Sequence, residues 1–140
     1  MLNPERLTVK AGDAIQDALA RARRAGNPLV YDGHLLIALL DQKEGIVVPL
    51  LQKLGVNVPD LMQRAEREAA RYPKQSGGAQ PTLSRELNQV LDKADDEAKA
   101  LKDEYVSTEH LLLALAGVKG NETYALLNGL GVTRDALLRA

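Results

Sequence analysis

Between residues 11 and 25 the apolar positions Ala11, Ala14, Ile15, Ala18, Ala22 and Ala25 fall three or four apart. That spacing stacks side chains on one face of an α-helix and predicts a first helix, closed by the turn-forming Gly26-Asn27-Pro28. The run GHLLIALL predicts a second helix, with Asp32 placed as its N-cap. A third apolar run ends in Lys53-Leu54-Gly55-Val56, where Gly55 suits a left-handed C-cap. Asn57 then caps a fourth helix, which is expected to stop at Tyr72-Pro73 because the residue before proline disfavours the α conformation. The Gly, Ser and Pro content of KQSGGAQPT marks a connector. Beyond it Leu83, Leu87, Val90, Leu91, Ala94, Ala98 and Leu101 form the stripe of a long fifth helix.

The pattern then repeats. Leu7 to Arg64 align without a gap on Leu83 to Ala140, 76 positions later. VYDGHLLIALL finds its partner in VSTEHLLLALA, and Leu54-Gly55-Val56 in Leu130-Gly131-Val132. Thr108 takes the cap position of the sixth helix, Gly131 the C-cap of the seventh and Thr133 the N-cap of the eighth. The expectation is an all-α fold of two pseudo-symmetric four-helix repeats, eight helices without a sheet. Repeat one spans 7–72, the connector 73–82 and repeat two 83–140. An interval of this size exceeds the single helix pair of most solenoid arrays.

The halves also differ. Where the second carries Asp103, Tyr105 and Glu109, the first carries Asn27, Leu29 and Gly33, so the carboxylates are one-sided and changes at Asn27 or Gly33 are expected to be comparatively silent for function. Glu109 reads either as a first-turn charge facing the positive end of a helix or as part of a binding surface. Ile46-Val47-Val48-Pro49 stands opposite Glu122-Thr123-Tyr124-Ala125, an apolar excess that suits either deeper burial or an exposed patch.

Composition narrows the functions. The chain has 140 residues and no cysteine, so neither a disulfide framework nor a thiolate metal site is expected. A net charge of −1 argues against a nucleic-acid footprint, and Arg21, Arg23 and Arg24 read as a solvated helix face. The opening MLNPERLTVK has no apolar run of signal-peptide length, and no stretch approaches a membrane span. A soluble, cytoplasmic protein is expected.

Candidate chemistry is sparse. His34 and His110 occupy equivalent places, but a metal needs three or four convergent ligands, which the spacing does not supply. Each histidine is expected to pack its ring at the start of its helix and to hydrogen-bond backbone in the preceding loop. No phosphate loop or nucleophile elbow occurs, and Asp103 with Glu109 would be an acid/base pair lacking a nucleophile. No catalytic residue is expected, and a binding module is the better class.

The stretches ERLTVKAGDAIQDALARA, HLLIALLDQKEGIVVPLLQKLG, RYPK and LSRELNQVLDKADDEAKALKDEYVSTEHLLLALA together resemble the N-terminal domain of the Clp/Hsp100 family of ATP-driven unfoldases, most closely its disaggregase branch. The resemblance covers essentially the whole chain and implies a duplicated four-helix unit. It implies a parent protein with two ATPase modules that assembles into homohexamers, binds ATP and magnesium and works with an Hsp70-type chaperone. This chain would be a monomeric fragment without cofactor that binds unfolded or aggregated polypeptides, and neither nucleic acid nor membrane. The other implied reading is adaptor docking, as in the protease-linked branches. Carried over residue by residue, Thr8, Asp103 and Glu109 support substrate handling, and Leu91 with Leu87 and Val90 contributes to an apolar groove on the fifth and sixth helices. Tyr105 and His110 complete the set. Lys93, Glu97 and His110 stand where some relatives are apolar, which implies a narrower or more polar groove.

Overall fold

The computed structural model describes residues 2–75, 77–78 and 80–140, so Ser76 and Ala79 of the expected connector lie outside the described residues. The described residues form eight α-helices in two sets of four: α1 (Val9–Arg24), α2 (Asp32–Leu40), α3 (Val47–Lys53) and α4 (Val58–Ala69), then α5 (Arg85–Ala100), α6 (Thr108–Gly117), α7 (Glu122–Gly129) and α8 (Arg134–Arg139). The fold is all-α. The starts of α1 and α5, α2 and α6, and α4 and α8 keep the 76-residue interval. None of these helices is long and apolar enough to cross a membrane.

α2 and α6 are the centre. Every residue of α2 is buried, as is every residue of α6 except Glu109 and Gly117, which is why their sequences are apolar on all sides rather than striped. α1 lies on α2 and α5 on α6, each through a small-residue stripe. Ala11, Ala14, Ala18 and Ala22 are fully buried, and Ala94 and Ala98 do the same on α5. Side chains this short let the helix backbones approach closely.

Short parallel pairings, which the sequence did not predict, lace the halves together. β1 (Leu29–Val30) pairs with β2 (Thr82–Leu83), and Leu7 bridges Val106. The second pairing is the first moved by the repeat interval: the segment entering α5 pairs with the one entering α2, and the segment entering α1 pairs with the one entering α6. Leu83 therefore belongs to this ribbon, 39% exposed, and not to the stripe of α5, which Ser84 caps through its hydroxyl.

The caps refine the sequence reading. Thr8, Asn57 and Thr133 accept from Ala11, Asp60 and Ala136 N–H as N-caps do, and Gly55 and Gly131 close α3 and α7 at φ +83°. Tyr31 and Ser107, not Asp32 and Thr108, hold the N-cap positions of α2 and α6. Asp32 turns inward instead, and its Oδ2 accepts from Thr123 Oγ1 at 2.6 Å and Thr123 N–H at 3.3 Å. One buried carboxylate thus ties α2 of the first half to α7 of the second. α4 ends at Ala69, three residues before Tyr72, whose ring stacks on Tyr31 at 4.2 Å.

Candidate functional site

α5 and α6 are joined by Leu101 to Ser107, and the end of α5 fixes how that segment leaves. Lys102 takes φ +60° and Asp103 N–H donates back to Ala98 O at 2.8 Å. In the first half Gly26, at φ +75°, makes the same turn, with Asn27 N–H bonded to Ala22 O. A glycine occupies this left-handed conformation freely and a lysine only under strain, so the second half holds its loop at a conformational cost. Arg6 anchors the same segment from outside, donating to Glu104 O and pairing with Asp95.

The two histidines are built alike. Nδ1 of His34 accepts from Tyr31 N–H and Nδ1 of His110 from Ser107 N–H, both at 2.9 Å. An accepting Nδ1 leaves the proton on Nε2. That proton points to Asn27 Oδ1 at 2.9 Å in the first half and to Asp103 Oδ2 at 2.8 Å in the second. Burial pushes the His34 pKa down to about 4, helped by the charge of Arg21. Both rings pack where the sequence placed them, each bonding backbone in the preceding loop. Each ring nitrogen has a partner, and the described residues include no group of His, Asp or Glu able to hold a metal ion.

Around His110 opens a cleft of about 540 Å³. Asp103, Glu104 and Tyr105 come from the loop, Glu109 and Leu113 from α6, Leu137 and Leu138 from α8, and Leu50 from α3 of the first half. Leu101, Tyr105 and Leu138 are 46%, 51% and 41% exposed, a cluster of apolar surface that water solvates poorly. Asp103, Glu104 and Glu109 are exposed at its rim. The arrangement suits an extended chain segment whose apolar side chains enter the cleft and whose cations meet the rim. Ser107 lines it as well, with Oγ 3.1 Å from His110 Nδ1, the same nitrogen that accepts from Ser107 N–H.

The structure thus brings together Asp103, Tyr105, Glu109 and His110 and leaves four expected residues elsewhere. Thr8 caps α1, with its N–H bonded to Val106 O, and does not line the cleft. Leu87, Val90 and Leu91 are core residues, at most 8% exposed. They lie on the face of α5 that packs inward, and the apolar side chains lining the cleft are instead Leu50, Leu101, Leu113, Leu137 and Leu138. Glu97 does not narrow this cleft either. It is buried and held by both Arg134 Nε and Nη2, the latter at 2.8 Å, a pairing that keeps its carboxyl below the ordinary range despite burial. The apolar excess at 46–49 divides, Val47 being fully buried and Ile46 46% exposed. Sequence reasoning missed Leu50 and Leu138 because no linear pattern marks residues that meet only across the fold.

Comparison with known proteins agrees with this architecture. Residues 6–136 match the family described as the Clp repeat (R) N-terminal domain. The chain is 40% identical over 136 residues to the chaperone protein ClpB of Rhodopirellula baltica, covering 97% of the chain and 15% of that protein. It is 43% identical over 134 residues to ClpB of Corynebacterium diphtheriae, covering 93% and 15%. The chain therefore spans about 15% of the length of these relatives. Among solved structures, the Hsp104 N-terminal domain from Candida albicans superposes with a TM-score of 0.81 at 23% identity, over 94% of this chain and 85% of that one. The complex of a ClpV N-domain with a VipB peptide gives 0.78 at 23% identity, over 95% and 82%. The duplicated helices, the family match and the similarity to ClpB along nearly the full chain lead to one conclusion: the chain belongs to the Clp repeat N-terminal domain family.

Proposed function

We propose that this chain is the substrate-binding N-terminal domain of an ATP-dependent protein disaggregase, and that the cleft around His110 receives exposed segments of unfolded or aggregated polypeptides. The observation that carries the reading is the cleft itself, where half-exposed Leu101, Tyr105 and Leu138 are ringed by Asp103, Glu104 and Glu109. Apolar contact is non-directional and so tolerates many sequences. A small patch also holds weakly, in keeping with a client that must be passed on, and micromolar or poorer affinity is expected. The 40% identity to a chaperone and the peptide complex of a similarly folded N-domain support this reading. In the same proposal the domain has no turnover of its own and acts in the cytoplasm. ATP, magnesium, hexamer assembly and an Hsp70-type partner belong to the rest of the protein.

Amide chemical-shift mapping with a permanently unfolded polypeptide tests it. Shifts should cluster on residues 101–113 and on α8. A surface that does not respond overturns the reading in favour of adaptor docking, which the ClpV complex with a defined partner peptide suggests as the second possibility.

A further inference from the structure

The duplication builds a second cleft of about 400 Å³ in the first half. Ala25, Asn27, His34 and Ile37 line it at the positions that Leu101, Asp103, His110 and Leu113 occupy in the second-half cleft. The framework is shared and the charge is reversed. Arg21, Arg24 and Lys74 stand at its mouth with Glu66 as the one acidic lining residue, and an adjoining depression of about 200 Å³ shares Arg24 and Asn27 and adds Arg23. Arg21 is already paired with Asp17 and Asp41. Arg23, Arg24 and Lys74 are exposed and, among the described residues, make no ion pair.

Cations in the last turn of α1 would ordinarily be explained by the negative end of the helix dipole. Here three of the last four helix carbonyls are occupied. Arg21, Ala22 and Arg23 O accept from Ala25, Asn27 and Gly26 N–H, and Gly26 O from Gln75 N–H. The polar floor is likewise closed on itself, Asn27 bonding His34 through Oδ1 and Pro73 O through Nδ2. Exposed Arg24, and Lys74 donating to Ala70 O at 3.3 Å, therefore stand beside a floor whose remaining surface is Ala25, Ile37, Ala69 and Ala70.

We propose that this first-half cleft docks an acidic peptide segment, whose carboxylates meet Arg23, Arg24 and Lys74 while a small aliphatic side chain rests on Ile37 and the alanines. The site is distinct from the client cleft in place and in sign. An apolar floor, with no Phe, Tyr or Trp among its lining residues and the His34 ring buried, favours a peptide over a nucleic acid, whose bases would need an exposed stacking surface.

Fluorescence anisotropy with a labelled peptide alternating Asp or Glu with Leu tests the proposal on the 140-residue chain. Binding should be measurable at roughly 20 mM salt and weaken towards about 0.15 M, as screening of surface charge requires. Arg23→Glu with Arg24→Glu and Lys74→Glu should weaken it about tenfold or more. The milder Arg24→Gln with Lys74→Gln, a guard against misfolding of the triple variant, should weaken it several-fold. Asp103→Asn with Glu109→Gln should leave it unchanged. Failure of the peptide to bind at low salt, wild-type affinity in the folded charge variants, or tighter binding of an oligonucleotide of equal charge would each overturn the assignment. None of these results depends on whether unfolded polypeptides occupy the second-half cleft.

Discussion

His110 Nε2 lies 2.8 Å from Asp103 Oδ2, at the place where His34 Nε2 meets Asn27 Oδ1 at 2.9 Å. The repeat thus keeps the hydrogen bond and changes the charge of the acceptor. Asp103 serves two ends: one oxygen satisfies a buried imidazole N–H, and the half-exposed carboxylate makes the rim of the cleft acidic.

This double role separates two substitutions. Asp103→Ala leaves the His110 N–H without its partner and should cost about 1–3 kcal/mol. Asp103→Asn keeps an acceptor, as Asn27 does, and together with Glu109→Gln should stay within about 0.5 kcal/mol of the parent. The conservative pair should nevertheless bind unfolded polypeptide less well, most clearly for cationic segments. Denaturant melts and a binding titration check both halves, and parental affinity in the pair would remove the carboxylates from the site.

At Asn27 and Gly33, expected to be silent in polypeptide handling, the structure predicts a cost in stability instead. Asn27 is buried, and a Cβ added at Gly33 would lie 2.1 Å from Tyr72 Oη. Gly33→Ala must displace a ring stacked on Tyr31 and should cost about 1–3 kcal/mol by overpacking. The change at the equivalent exposed position, Glu109→Ala, should cost less than about 1 kcal/mol. Thermal unfolding of the two variants gives the comparison, and similar melting temperatures would contradict it.

Acid should destabilise the fold through His34. Its pKa is depressed from 6.5 to about 4, so the unfolded chain binds this proton more readily than the folded one. The contribution is fully present above about pH 6.5 and is lost as the pH falls towards 4, up to roughly 3 kcal/mol in all. Glu97, held low by Arg134, adds a loss that begins as the pH falls below 4.5. Stability measured from pH 7 to 4 should decline in the parent, and His34→Gln should flatten the upper part of that decline. An unchanged slope in the variant would show that another group carries it.

The core is expected to be far less tolerant than the rim. Leu112 in α6 is fully buried, and Leu112→Ala should cost about 2–5 kcal/mol through lost transfer energy and a residual cavity. Its melting temperature should fall well below that of the Asp103→Asn, Glu109→Gln pair, and equal values would contradict the contrast.

The sequence alone determined the eight helices and their two-fold order. Helical spacing, capping side chains such as Thr8 and Asn57, and the left-handed glycines 55 and 131 act within a few residues of the chain, and the gapless repeat carried them from one half to the other. It also set Asp103, Tyr105 and Glu109 apart, because duplication makes each half the reference for the other. What only the tertiary structure decided is which apolar residues remain exposed and which polar ones are buried. Leu87, Val90 and Leu91 share the stripe of Leu101, yet the first three are buried and the last stays half-exposed at the cleft. Asp32 resembles a helix cap until Thr123, 91 residues away, supplies its partner. Leu50 lines the same cleft as Leu138 only because the two halves pack together. Local propensity acts over single turns of chain, whereas burial depends on every element that covers a residue, and the linear order of residues does not contain that sum.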